Sequence, residues 1–175
     1  MTDLSFQNPP DIDFSSFDFT DQTNSFLSGA ISESSVGEKY LVFFLGEEFY
    51  AVASETVAEA APYPSVVALP NAPEWLLGIA NLRGEIISVV NLPFLLNKAA
   101  STVSAKSKII VMRPQHSDNG FAFTADKLCE IIVLRESEIE TDETKPAAYI
   151  YGKAAYKSKD LNLIDTKKIF ASLVL

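Results

Sequence analysis

From Lys39 onward the chain is a succession of short apolar runs rich in Val, Ile, Phe and Tyr, each stopped by a Gly, a Pro or a polar cluster. That rhythm favours strands joined by tight turns over long helices. Residues 40–45 read as a strand, Gly46-Glu47-Glu48 as a hairpin turn, and residues 49–52 as the returning partner. Residues 79–83 and 86–92, on either side of Gly84-Glu85, form a second and stronger hairpin signal. Further strands are expected at 108–113, 120–124, 128–134, 147–151 and 161–164. Residues 54–60 fit either a helical turn or a bent strand, with Val57 buried, and Ile79 is also expected in the core. Pro62, Pro64, Pro70 and Pro73 punctuate a loop, and residues 74–77 fit one short turn before Gly78. At the end, Asp165 caps a helix whose Ile169, Phe170 and Leu173 face the interior. About ten short strands at this spacing predict an all-β body built of barrels.

The charge is unevenly placed. Residues 1–38 carry seven acids and no Lys or Arg, whereas from Lys39 onward sixteen acids face fourteen bases. The first segment is rich in Ser, Thr, Asp, Asn and Gln and reads as a disordered leader, with the folded domain expected over 39–175. Phe6, Phe14, Phe17, Phe19 and Phe26 are interleaved with its acids. Such a segment is either a solvated tail or a docking motif, and Phe14, Phe17 and Phe19 are the candidate contacts. Neither part has the basic stripe that a phosphate backbone demands, so nucleic acid is not an expected partner. The start lacks a signal peptide's basic segment and apolar run, and no apolar stretch is long enough to span a bilayer. With one cysteine, Cys129, no intrachain disulfide forms. The expectation is a soluble, cytoplasmic protein with no direct membrane insertion.

Catalytic constellations are missing. The one histidine, His116, stands in a polar Pro-Gln-His-Ser-Asp-Asn loop and reads as exposed. One His and one Cys cannot build an N/S metal site, and the acids show no calcium loop. The glycines form no nucleotide-binding fingerprint. Cys129 lies in an apolar strand and reads as a structural thiol. No catalytic residue, metal or cofactor is therefore assigned, and a binding role is expected over a hydrolase with an unrecognised site.

The residues also carry a resemblance. Phe44-Leu45-Gly46-Glu47-Glu48-Phe49-Tyr50-Ala51-Val52, followed by Val57-Ala58-Glu59, is similar to the opening of CheW-like domains. The block from Leu69-Pro70 through Trp75, Asn81-Leu82-Arg83-Gly84 and Val89-Val90-Asn91-Leu92 resembles the family's most recognisable signature. The last strand and helix fit as well, so the likeness spans residues 39–173 and is strongest over 66–92. It implies two small five-stranded SH3-like barrels with a short C-terminal helix. It also implies an adaptor that joins the cytoplasmic tip of a chemoreceptor to the regulatory domain of a CheA-like histidine kinase. Arg83, with Asn81, Leu82, Gly84 and Glu59, matches the family's receptor-binding positions. Without the resemblance Arg83 reads as a solvated hairpin tip and Glu59 as a surface acid. Trp75 fits either a loop anchor or a partner contact. Two departures stand out. Asn91 replaces the family's usual Asp, and Pro93 follows where a basic residue is common. They fit a specialised branch, pilus-driven twitching or phototaxis, recruited to membrane-associated receptor arrays. A rival reading is a regulatory CheW-domain protein that inhibits or sequesters a partner through its leader.

Overall fold

The computed structural model describes residues 37–99, 103–104, 106–113, 120–141 and 149–173. The calls on Phe14, Phe17, Phe19 and the other leader phenylalanines, and on His116, lie outside these residues. Among the described residues eleven strands follow in order: β1 (Glu38–Leu45), β2 (Glu48–Ala53), β3 (Val57–Pro62), β4 (Val66–Val67), β5 (Leu76–Leu82), β6 (Glu85–Val90), β7 (Lys108–Met112), β8 (Phe121–Ala125), β9 (Lys127–Leu134), β10 (Ile150–Tyr156) and β11 (Lys159–Ile164). The α-helices among the described residues are the short α1 (Leu92–Leu95) and α2 (Thr166–Leu173). The fold is all-β, in two sheets with strand orders β10-β11-β2-β1-β9 and β3-β7-β8-β6-β5-β4. The first has the expected five strands. The second gains a sixth, the two-residue β4, which pairs with β5 through Val66–Ala80 and Val67–Ile79. Most neighbours are antiparallel; β2–β11 and β6–β8 are parallel.

Each sheet curls, and side chains from strands far apart in its order meet. In the first, the Tyr156 hydroxyl on β10 donates to Glu130 on β9 at 2.7 Å. In the second, Arg83, just after β5, pairs with Glu59 on β3 at 3.2 Å. The core divides accordingly. Tyr40, Val42, Ala51, Leu161 and Leu163 fill the first curl. Ala80, Ile87, Val89, Ile109, Val111 and Ala122 fill the second. A third and larger cluster, including Phe43, Val52, Val90, Ile110, Met112, Phe123, Ile164 and Ile169, lies between the two sheets. Fully burying each of its large side chains contributes roughly 1.5–3 kcal/mol. Helix α2 closes this middle cluster: Asp165 Oδ1 accepts the Lys168 N–H at 2.9 Å, and the Phe170 ring meets Phe121 edge-on at 4.6 Å. That is the cap and the inward face expected for this helix.

Several local readings change. Residues 54–60 contain both alternatives, a 3-10 turn at Ser54–Thr56 and then β3, whose Val57 packs on the middle cluster. The tight turn between β5 and β6 is Arg83-Gly84, one residue earlier than the spacing suggested, since Leu82 pairs with Glu85. Leu76 and Leu77 belong to β5, not to the preceding turn. Leu92 opens α1 instead of ending β6, because Asn91 caps the helix there: its Oδ1 accepts the Phe94 N–H at 3.3 Å. Pro93 then sits in the first turn, where a missing N–H costs nothing. Ile79 is half-buried and lies on the outer face of β5, while its neighbours Gly78 and Ala80 point inward and are buried. Strand β10 runs through Gly152-Lys153-Ala154-Ala155-Tyr156, further along than expected.

Candidate partner-binding surface

The β5–β6 hairpin carries the residues that the sequence singles out. Its turn has φ of 52° at Arg83 and 91° at Gly84, so both central residues are left-handed, as a type I′ turn requires. Gly84 meets this demand freely, and a side chain there would touch nothing within 4 Å; its backbone angle alone sets the need. Arg83 has no such freedom. A non-glycine residue in this region costs roughly 1–2 kcal/mol. Asn81 supports the turn from the strand end, its Oδ1 accepting the Gly84 N–H at 2.9 Å.

The Arg83 side chain reaches to β3, where its Nη2 lies 3.2 Å from Glu59 Oε1; the two side chains are 71% and 25% exposed. A pair this open adds about 0–1 kcal/mol. It therefore does not account for an arginine at a strained position, but it does fix where the guanidinium points. The guanidinium has five donors in a rigid fork, so donors remain to bind carboxylates or carbonyls of a partner. A second pair, Arg113 with Glu85, lies next to the turn of the same hairpin. The two ion pairs make an alternating acid–base edge from Glu59 to Arg113. Arg113 Nε is buried and finds no hydrogen-bond partner among the described residues.

Apolar surface lies alongside. Ile86, opposite Asn81 on the hairpin, is 62% exposed, and Val67, opposite Ile79, is 60% exposed. Cross-strand partners share a face, so Val67, Ile79, Asn81 and Ile86 form one outer patch of β4–β6. Leu82 points the other way, against the interior of the second sheet, and so holds the hairpin from within. Trp75 is half-buried on the middle cluster, and its carbonyl accepts the Asn91 N–H at 2.7 Å. The anchor reading of Trp75 thus has direct contacts behind it. Arg83, Asn81, Gly84 and Glu59 come together in space, with Leu82 behind them; Trp75 belongs to the neighbouring loop.

Sequence reasoning missed Ile86, Val67 and the Glu85–Arg113 pair. The miss of Ile86 goes with the expectation of Ile79 in the core: the two share one face of the hairpin, and that face is the outer one. Val67 sits in a strand of two residues, too short for any periodicity.

Other candidate chemistry is structural. Cys129 is half-buried in β9, and burial pushes its thiol up from the ordinary value, which disfavours the reactive thiolate. Among the described residues no group of three or more His, Cys, Asp or Glu could hold a metal ion, and no helix is long and apolar enough to cross a membrane.

Two curled sheets around a shared core, with a strained arginine beside exposed apolar side chains, define a β-rich recognition module. Residues 39–174 match the CheW-like domain family, and the chain belongs to it. The chain is 26% identical to the chemotaxis protein CheW of Klebsiella aerogenes over 146 residues, covering 81% of this chain and 87% of that one. It is also 26% identical to the chemotaxis protein CheW of Bacillus subtilis, covering 63% and 69% of the two chains. The crystal structure of the scaffolding protein TtCheW from Thermoanaerobacter tengcongensis superimposes with a TM-score of 0.66 at 29% identity. That match covers 74% of this chain and 89% of the other.

Proposed function

We propose that this chain is a non-catalytic adaptor that couples a chemoreceptor's cytoplasmic tip to the regulatory domain of a CheA-like histidine kinase. The relatives bear chemotaxis and scaffolding names, which supports the general role. The observation that carries the surface assignment is Arg83. It occupies a left-handed turn position that disfavours it, is aimed by Glu59, and stands beside the exposed Ile86. A receptor tip offering carboxylates or helix-terminal carbonyls next to apolar side chains would engage both parts. In this reading Asn81 and Gly84 hold the tip, Leu82 anchors it, and Glu59 orients the guanidinium. The protein would then be held at membrane-associated receptor arrays through its partners.

Substituting Arg83→Glu tests the assignment. It places like charges at Glu59 and reverses the sign of the tip. Receptor-dependent kinase stimulation in a reconstituted array should fall by roughly tenfold or more, as for loss of a central charged contact, while the far-ultraviolet spectrum is unchanged. Stimulation equal to the parent's would remove the hairpin tip from the receptor-binding surface. The output, whether chemotaxis, phototaxis or pilus-driven twitching, follows from the kinase that the chain captures. The Asn91 and Pro93 departures do not decide it, because they build a helix cap that the usual Asp would also make.

A further inference from the structure

Charges of alternating sign run round one end of the second sheet. Glu59 lies in β3, Arg83 in the turn after β5, Glu85 at the start of β6 and Arg113 directly after β7. Strand pairing brings these points together: β3 with β7, β7 with β8, β8 with β6 and β6 with β5. Glu59 meets Arg83 at 3.2 Å, and Glu85 meets Arg113 at 2.5 Å. The second contact has to be built. β8 lies between β7 and β6 in the sheet, so the Arg113 side chain passes the start of β8 to reach Glu85. Gly120, just before β8, leaves the room: a Cβ there would lie 2.7 Å from the Met112 carbonyl oxygen and 3.7 Å from Arg113 Nε. The Arg113 N–H donates to the Thr56 carbonyl at 2.9 Å, which ties the root of the side chain to the turn before β3. Both ends of the arginine are therefore held, yet its side chain stays 36% exposed and that of Glu85 54%.

A pair this open adds little to the fold. What it does is hold two opposite charges at fixed places beside the Arg83 tip. Each charge on the edge is already paired, so the edge attracts a partner by no excess of either sign. It acts through order. A partner whose charges alternate in the opposite sense gains at every position, and one that alternates in the same sense meets like charge at every position. A helix suits such an edge, because residues three and four apart stand side by side on its surface.

We propose that Glu85 and Arg113 are specificity-determining residues of this surface. Its partner is a receptor-tip helix that presents base, acid, base and acid against Glu59, Arg83, Glu85 and Arg113. The identity of the partner rests on the adaptor reading; the two residues and the order of charges go beyond it.

Exchanging the two charges separates this role from a structural one. Glu85→Arg together with Arg113→Glu keeps an ion pair but reverses its half of the edge. Asp118, in the β7–β8 connection, lies outside the described residues and is the same in every variant. Binding is read by co-sedimentation of the full chain with vesicles that display a chemoreceptor cytoplasmic fragment, and folding by thermal unfolding. The exchange should weaken binding roughly tenfold, as for misplaced charged contacts, with the unfolding midpoint close to the parent's. Glu85→Gln together with Arg113→Gln removes both charges and reverses neither. It should weaken binding by less, about threefold, with proton exchange in the β5–β6 hairpin unchanged. A pair that only braces the hairpin gives the opposite ranking, because the exchanged pair would restore binding along with the midpoint. That ranking overturns the proposal, and so does parent-like binding of both variants, or weaker binding of the Gln variant with faster exchange in the hairpin. Arg83→Glu, measured alongside, keeps the two readings apart. If it weakens binding and neither variant of the pair does, the adaptor surface stands and this inference falls; if no variant alters binding, both fall.

Discussion

In the proposed role Arg83 separates stability from function, and Arg83→Asn makes the separation measurable. Asparagine tolerates the left-handed region that type I′ turns require, so the change recovers most of the roughly 1–2 kcal/mol that arginine pays at φ 52°. What is lost in the fold is the Glu59 pair. With the arginine 71% exposed, it contributes about 0–1 kcal/mol at most. The net is a gain of about 0.5–1 kcal/mol. For a chain of this size that raises the thermal midpoint by about 1–4 °C. The same substitution removes the fork of donors from the tip, so receptor binding and kinase stimulation should fall. Urea and thermal unfolding give the first quantity, and co-sedimentation with receptor-bearing membranes gives the second. A variant that is destabilised by more than 1 kcal/mol would make Arg83 a structural residue. A variant that binds receptor as well as the parent would show that the strained turn serves something else. Either result sinks the argument from strain to function.

Two further predictions concern the frame. Gly78→Ala should cost more than about 2 kcal/mol and shift the unfolding midpoint downward, because φ is 147° and the new Cβ would lie 2.2 Å from the Val67 carbonyl oxygen. Since that clash pushes β4 off β5, proton exchange at Ala80 and Ile79 should rise as well; unchanged exchange would contradict the pairing. The acid limb of stability is the second. Lys157 and then the Tyr156 hydroxyl hold the Glu130 carboxyl below its ordinary value, and Lys98 and then Tyr50 do the same for Glu48. A carboxyl depressed in the folded state adds stability that is complete above the unfolded value, about 4.3. That stability is lost as the pH falls through the folded value. Glu130→Gln with Glu48→Gln should therefore flatten the stability profile below about pH 4.5, and a profile that superimposes on the parent's would refute the pairing.

Much of the frame was legible in the sequence because two-residue turns and apolar runs carry local signals. The β1–β2 hairpin, the β7–β9 strands and the Asp165-capped helix follow from residues adjacent in the chain. What was not legible depends on partners distant in sequence. Strand β10 hides in Gly152-Lys153-Ala154-Ala155-Tyr156, which has no β-branched residue; its strand character comes from pairing with β11 along Lys153–Asn162 and Ala154–Leu161. Helix α1 has four residues, too few for a 3.6-residue period, and only the Asn91–Pro93 cap marks it. At the site, the family signature located Arg83, and the hairpin spacing came within one residue of its turn. That residue mattered, because it decides that Arg83 occupies a left-handed turn position. The Glu59–Arg83 contact joins positions 24 residues apart, and only the curling of the sheet brings them together.

The order of strands has a consequence for how the chain is assembled. The second sheet is built entirely from β3 to β8, an unbroken stretch, whereas the first takes β1 and β2 from before it and β9, β10 and β11 from after it. One lobe is therefore nested inside the other. Neither can be lent to another protein in the same way: the inner lobe is excisable as one segment, the outer lobe only with a graft across the gap. As the chain emerges from the ribosome, the inner lobe has all its strands while β1 and β2 still await their neighbours. The outer lobe has all its strands only once β9, β10 and β11 follow those of the inner one.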